Sequence, residues 1–400
     1  MTAATRRRGR SWQVSLALGA ALGIAAAIAS RRAERVVSDG GLVDWSRAEG
    51  IAVKRLGRAP GALSAAELSA SRPDYAAAMT RIVPLLEARL GQPLPGVVER
   101  WDVVDRAGWA RANLVTFKHI FGRVEETLRE RLMRNSRGPV TPGIATLANR
   151  FIATQQIGFL VGFLGGRVLG QYDVALLSAE SRPGRLLFVE ENIRATAAAL
   201  GVPLRDFRIW ICLHETTHAF ELEAHPWLRP YLADRLERQL AAFVEETRTL
   251  QLEGILQALR RWRDSSGEPL AGLLSPEQRR LLRETQLVMS LLEGFSDWVM
   301  DEVGSQLIAD VHGVRERFEA RRNQRRRGLE RIVARLTGLD MKLEQYRRGE
   351  RFVSGVAAAG GREAVAHLWD GPDSLPTEAE MADPVSWVSR IAPATLSQPA

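Results

Sequence analysis

The chain has 400 residues, of which 46% are hydrophobic, so it is long enough to bury a sizeable core in one or two domains. Its single cysteine, Cys212, excludes an internal disulfide framework. The formal net charge of +8 suits nucleic acid or an anionic membrane, but the arginines alternate with acids along helical patterns and no nucleic-acid motif is present, so no nucleic-acid partner is expected.

Residues 1–40 form a basic and apolar N-terminal segment. An apolar run over residues 12–29 lies between arginine clusters, and it is about long enough to span a bilayer. We therefore predict a membrane-associated protein with a single N-terminal anchor. A cleaved signal peptide and a soluble Ala-rich helix are the alternatives. Because arginine lies on both sides of the run, the side of the membrane that holds the body is not predicted.

Residues 41–154 form a predicted helical N-terminal portion. Residues 42–45 open a short helix that ends before Gly57, and Ser64 with Glu67 forms a capping box for the next segment. An amphipathic helix is predicted over residues 73–90. Residues 101–109 are read as the approach to a long helix that ends near Met133.

An apolar helix is predicted from Thr141 to about Gly170. Glycine recurs at every fourth position from Gly158 to Gly170, which allows another helix to approach closely. Gln155, Gln156 and Arg167 interrupt the apolar run, so the pattern favours a helix in a packed core over a second membrane span.

Residues 155–370 form the predicted metal-binding portion. Two short strands are expected at residues 173–177 and 185–189, as the only β signal, and a short helix at 192–200 follows them. Asp206 is the predicted N-cap of the next helix, which extends to about Glu223. The fold class is therefore mainly α, with a small β-sheet beside this helix.

The helix after Asp206 carries His214-Glu215-Thr216-Thr217-His218, a His-Glu-x-x-His pattern. Residues four apart lie on one face of a helix, so His214 and His218 can bind one metal ion, expected to be Zn²⁺. Glu215 beside them is placed to act as the general base on water. Cys212 points away from this face and is read as a buried apolar residue.

A catalytic zinc site takes three protein ligands, and the third has several candidates. Glu293, in a later helix, is the first choice, and Asp297 one turn on would orient a ligand histidine by accepting its ring N–H. His225 is an alternative, although a metzincin pattern needs histidine at the position of Ala224. Glu221 and Glu223 are further alternatives on the same helix. The oxyanion donor stays open among Tyr172, Tyr231, His225 and His312.

The C-terminal part contains further helices and then a tail. Ser275 and Pro276 begin the long helix that carries Glu293, and an arginine-rich helix is expected at residues 314–327. Residues 371–400 form a Pro-rich tail, expected to wrap over the surface.

In its motifs and their order, the chain resembles the bacterial zincin-like metallopeptidase family often labelled as associated with deazaflavin-coenzyme biosynthesis. The resemblance implies a zincin-like fold and, as in gluzincins, a later helix that supplies a glutamate ligand, which supports Glu293. The coenzyme label reflects association, and no reaction is inferred from it. The matching stretches are residues 42–45, 105–109 with Asn113, 168–173, the His214 motif, 289–297 with 299–301, 341–346 and 375–377.

Two main hypotheses follow for function, beside a weaker third, a basic nucleic-acid or lipid-surface binder that uses residues 315–327. The first is a zinc-dependent metallopeptidase that hydrolyses a peptide or protein substrate, with Glu215 as general base. The second is a membrane-tethered, non-catalytic zincin-like binding or scaffold protein. Glu215 favours the first hypothesis, because a purely structural metal site has no use for that carboxylate.

Overall fold

A computed structural model describes residues 41, 43–94, 96–133, 144–173, 184–249, 276–323 and 339–397. These ranges contain eleven α-helices and a three-stranded sheet, which confirms the predicted mainly α class. The strands are β1 (Trp101–Val104), β2 (Gly170–Asp173) and β3 (Arg185–Val189). The helices are α1 (Trp45–Leu56), α2 (Ala65–Leu90), α3 (Arg106–Met133), α4 (Ile144–Gly165), α5 (Glu190–Leu200), α6 (Leu204–Ala224), α7 (Leu228–Thr249), α8 (Pro276–Gly304), α9 (Val311–Asn323), α10 (Leu339–Ala366) and α11 (Pro384–Ile391).

The N-terminal helices begin where the capping residues predict. The Asp44 carboxylate accepts the Arg47 N–H at the start of α1, and the capping box of Ser64 and Glu67 starts α2. The helix that was expected to begin at Pro73 therefore begins at Ala65 and continues through that proline. Pro73 is exposed, so its ring and missing N–H face solvent.

The sheet has the strand order β1-β3-β2, with β1 parallel and β2 antiparallel to β3. The strand predicted at residues 185–189 is confirmed as β3, whereas β2 shares only Asp173 with the strand predicted at residues 173–177; residues 174–183 lie outside the described ranges. Residues 101–104, read from the sequence as part of the approach to a long helix, form a third strand, β1. Its parallel partner, β3, lies about 85 residues further along the chain, so no local sequence pattern indicates the pairing.

Strand β3 separates two hydrophobic cores. Its residues Leu186 and Phe188 face the larger core, which contains α6 and α8, whereas Leu187 and Val189 face a smaller core formed with α1, α3 and α4. Alternate residues of a strand point to opposite faces, and all four of these side chains are fully buried. The division of the chain into portions at residue 154 stays a prediction.

The glycine stripe of α4 packs against α1. A Cβ atom added to Gly158 would lie 2.8 Å from the Ala48 carbonyl oxygen, and one added to Gly162 would lie 3.2 Å from the Ala52 Cα. The two helices thus touch through their backbones, as expected for a packed core. The stripe does not reach Gly170, because α4 ends at Gly165 and the chain continues into β2. Among the described helices, none has the length and apolar character needed to cross a bilayer. The predicted anchor at residues 12–29 lies outside the described ranges.

A buried ionic cluster joins α2, α5 and α6. The Glu190 carboxylate, which is fully buried, accepts hydrogen bonds from the Tyr75 hydroxyl at 2.6 Å, from Arg194 Nε at 2.6 Å and from Arg208. These three donors hold the pKa of Glu190 below its ordinary value, although burial alone raises it. The cluster fixes the start of α5 against the first turns of α6.

The expectation that the C-terminal tail only wraps over the surface is wrong for α11. Asp383 caps this helix and Pro384 occupies its first position. Trp387 is fully buried, its Nε1–H donates to the Ser374 carbonyl at 2.7 Å, and its ring packs edge-on against Phe352 of α10. The amphipathic helix therefore belongs to the larger core.

Candidate metal centre

The helix that carries the His-Glu-x-x-His pattern is α6, which is buried along most of its length. It begins at Leu204 after Pro203, with no side-chain cap, so the predicted capping role of Asp206 is wrong. Asp206 lies instead within the first turn, where a negative charge still favours the helix dipole. The side chain of Cys212 is fully buried in the larger core, as expected for an apolar role.

Three potential metal ligands lie close together, two on α6 and one on α8. The Nε2 atoms of His214 and His218 lie 3.2 Å apart, and Glu293 Oε2 lies 3.9 Å from His214 Nε2. His214, His218 and Glu293 each offer one donor atom, and these atoms all lie within 4.8 Å of one another. The structure thus brings together the two histidines of the pattern and the first-choice third ligand. His214 and Glu293 are half-buried, so water can reach this cluster.

Helix α8, which carries Glu293, packs directly against α10. A Cβ atom on Gly349 of α10 would lie 1.8 Å from the Ser290 carbonyl oxygen, and one on Gly294 would lie 2.3 Å from the Gly349 carbonyl carbon. Only glycine fits at this contact, which holds the two backbones together one residue from Glu293. The sequence reasoning did not identify this pair.

Glu221 orients His218 through the ring nitrogen that faces away from His214. His218 Nδ1–H donates to Glu221 Oε2 at 2.7 Å, and the Ser296 hydroxyl lies 3.3 Å from the same nitrogen. Glu221 is fully buried, and its Oε1 atom has no hydrogen-bond partner. Burial alone lowers the pKa of His218, but the carboxylates of Glu221, Glu293 and Glu215, of which Glu221 acts most strongly, outweigh it and raise the pKa to about 10.

This contact changes the role considered for Glu221. It was an alternative metal ligand, whereas the structure makes it the acceptor that fixes the tautomer and ring orientation of a candidate ligand. Its spacing of three residues from His218 was the available signal. The orienting role expected of Asp297 stays a prediction; among its described interactions is an electrostatic attraction to Arg315.

Glu215 lies beside the cluster and against strand β2. Its side chain is 8% exposed, and burial together with the nearby Glu293 carboxylate raises its pKa to about 7, against the opposing effect of His218. A Cβ atom on Gly170 would lie 2.5 Å from Glu215 Cγ. The absence of a side chain at position 170 therefore leaves the space that the Glu215 carboxylate occupies.

The other candidate ligands have different contacts. His225 Nδ1–H donates to the Glu221 carbonyl at 2.8 Å, and its ring packs against Phe220 and Trp369. Glu223 accepts hydrogen bonds from the Tyr172 hydroxyl and from Arg229. In the part of the chain that the structure describes, the only group of three or more potential metal ligands is His214, His218 and Glu293.

Comparisons with known proteins identify the family of the chain. Residues 43–388 match the family model described as zincin-like metallopeptidase. No curated protein sequence matches the chain. A crystal structure from Chloroflexus aurantiacus, of a protein proposed to be a hydrolase with a novel fold, is similar with a TM-score of 0.64 and 35% sequence identity. The similarity covers 87% of this chain and 98% of that chain.

Proposed function

The chain belongs to the zincin-like metallopeptidase family, and on that premise we propose that it is a zinc-dependent peptidase. The family and the similar solved structure support a hydrolase. The step from hydrolase to zinc peptidase rests on one observation, the convergence of His214, His218 and Glu293 beside the buried carboxylate of Glu215.

The three donors suit zinc by their chemistry and their spacing. Catalytic zinc sites use the donor set found here, which is two imidazole nitrogens and one carboxylate oxygen. With zinc–ligand bonds of about 2.0–2.1 Å, tetrahedral ligand atoms lie about 3.4 Å apart. The separations of 3.2 Å between the Nε2 atoms of His214 and His218, and of 3.9 Å from His214 Nε2 to Glu293 Oε2, bracket that value. Glu221 adds a buried negative charge behind His218, which favours a cation at the cluster.

A zinc ion held by these residues would supply Lewis acidity and a more acidic water. The protein's own contribution begins with Glu215, which takes a proton from the attacking water. The water oxygen then bonds to the peptide carbonyl carbon. As the C–N bond breaks, Glu215 returns the proton to the amine that leaves.

Strand β2 suits the binding of an extended peptide beside Glu215. It pairs with β3 on one side and is an edge strand of the described sheet. Gly170 lies against Glu215, and Tyr172, two residues on, hydrogen-bonds to Glu223 two turns further along α6. The strand therefore lies along the metal-binding helix. A substrate backbone added to its free edge would lie beside the cluster.

Metal analysis of purified variants tests this proposal. We expect Glu293→Ala to lose zinc, whereas Glu215→Gln keeps zinc and loses hydrolysis of a broad peptide library. Glu316→Gln, a substitution of an exposed glutamate on α9, is the matched control and keeps both properties.

Three results would contradict the proposal. Full zinc occupancy in Glu293→Ala would exclude Glu293 as the third ligand. Unchanged cleavage by Glu215→Gln would exclude this site as a peptidase. Zinc binding without cleavage in the wild-type protein would favour the non-catalytic scaffold instead.

A further inference from the structure

Helix α4 packs one side into the smaller core and exposes apolar side chains on its outward side. From Phe151 to Gly165 it contains no charged residue. The side chain of Phe151 is 48% exposed and that of Ile152 is 38% exposed, while Phe159 on the same side is half-buried. Apolar side chains grouped on one side of a surface helix mark an interaction surface.

Three arginines lie along this side of the helix over aromatic rings. The guanidinium carbons lie 4.8 Å from the Phe151 ring centre for Arg47, 4.4 Å from that of Phe159 for Arg55, and 3.7 Å from that of Phe163 for Arg167. The three rings span about 18 Å along the helix. We call Phe151, Ile152, Phe159, Arg47, Arg55 and Arg167 the basic aromatic face.

The basic aromatic face attracts anions. Arg55 and Arg167 lie close enough that, after burial, the like charge of Arg167 further lowers the pKa of the Arg55 guanidinium. The nearest acid of α1, Glu49, is paired with Arg111 at 3.1 Å, and Asp44 caps the helix. A row of cations over aromatic rings, of which the Phe151 ring is exposed, matches the chemistry of a bilayer surface that contains anionic lipid headgroups.

Part of the basic aromatic face lies close in the sequence to the predicted membrane anchor. Helix α1 supplies Arg47 and Arg55, and it begins at Trp45, sixteen residues after the end of the predicted anchor at residues 12–29. Sixteen residues extend at most about 55 Å. We propose that the basic aromatic face docks on an anionic bilayer surface and so fixes the orientation of the body on the membrane.

The test uses a fluorescent label on the full-length chain and vesicles that carry a lipid-borne quencher. Phe151→Cys introduces the reporter position, and Val385→Cys on α11, where valine is 52% exposed, is the control. The native Cys212 is buried and stays unlabelled. On phosphatidylcholine vesicles that contain phosphatidylglycerol, we expect quenching of the label at position 151 several-fold above that at position 385.

Charge variants separate docking from nonspecific adsorption. We expect Arg47→Gln, Arg55→Gln and Arg167→Gln each to lower the docked population of the label at position 151 about fivefold. Arg205→Gln, Arg351→Gln and Arg362→Gln change the net charge equally at exposed positions of α6 and α10, and should leave quenching unchanged.

Four outcomes would overturn the proposal. Equal quenching at positions 151 and 385 would show that the face has no preferred contact with lipid. Equal quenching on pure phosphatidylcholine would exclude recognition of anionic headgroups. Without vesicles, the label can also be tested with a water-soluble quencher. Protection that increases with protein concentration would assign the face to a second copy of the chain. Protection that is independent of concentration would assign the face to residues 1–40 of the same chain.

Discussion

Replacing Glu221 with glutamine tests whether its carboxylate prepares His218 to bind a metal ion. The side chain keeps its size, and a carbonyl oxygen can still accept the His218 Nδ1–H, but the negative charge 2.7 Å from that nitrogen is lost. A histidine that binds a metal ion is neutral, so the charge acts on the cation beyond the ring; at an effective dielectric constant of about 20, unit charges about 5 Å apart attract by about 3 kcal/mol. The desolvation of a fully buried carboxylate offsets much of that attraction.

The net effect should match the loss of an outer-shell partner, which costs roughly 10–100-fold in zinc affinity, or about 1.4–2.7 kcal/mol. The measurement is zinc affinity in competition with a chelator, with circular dichroism of the metal-free variant to show that it is folded. Ser296→Ala removes the other group near the same nitrogen, at 3.3 Å, and should change the affinity less than about threefold. The reasoning is refuted if Glu221→Gln keeps wild-type affinity, or if Ser296→Ala causes the larger loss.

Three further variants test other parts of the structure. Gly170→Ala should lower kcat/KM on the order of 100-fold, because its Cβ would displace Glu215, while zinc content measured by mass spectrometry stays constant. Glu190→Gln should cost about 3 kcal/mol in urea unfolding at neutral pH, the low end for a broken buried ion pair, because Arg208 then keeps only the largely exposed carboxylate of Asp74. The pKa of Glu190 is lowered in the folded state. The contribution of its carboxylate to the free energy of unfolding is therefore present above about pH 4.3 and is lost as the pH falls through the folded pKa. The wild type should lose stability on acidification more steeply than the variant. Trp387→Ala should cost about 3–5 kcal/mol in the same assay, and a value near zero would show that α11 does not belong to the core.

The local part of the metal centre could be predicted from sequence spacing. His214 and His218 lie four residues apart on one helix, a relation that any α-helix enforces. The prediction of Glu293 as the third ligand needed the family resemblance as well, because its distance from the histidines depends on how α8 packs. The contact of Gly349 with Ser290, which holds α8 in place, joins residues far apart in the chain and leaves no periodic signal.

The errors have comparable physical causes. Strand β1 is four residues long and gains its hydrogen bonds from a parallel partner far along the chain, so its own sequence carries little evidence of it. Asp206 has a good capping side chain, but Gly201 and Pro203 had already turned the chain, and the helix begins at Leu204. The sequence reasoning considered Glu221 only as a metal ligand. A carboxylate three residues from a histidine can instead accept the ring N–H on the side of the imidazole that faces away from the metal.

The origin of the three donor atoms on two distant helices has a consequence for folding. His218 and Glu293 are separated by 75 residues (293 minus 218), so any ion bound by both closes a loop of that length. The closure restricts the unfolded chain by about 4 kcal/mol of conformational entropy, much as a disulfide of the same span would. In a protein whose only cysteine is buried, an ion held by these residues would be a cross-link between α6 and α8, and it could bind both only once these helices have reached their native register.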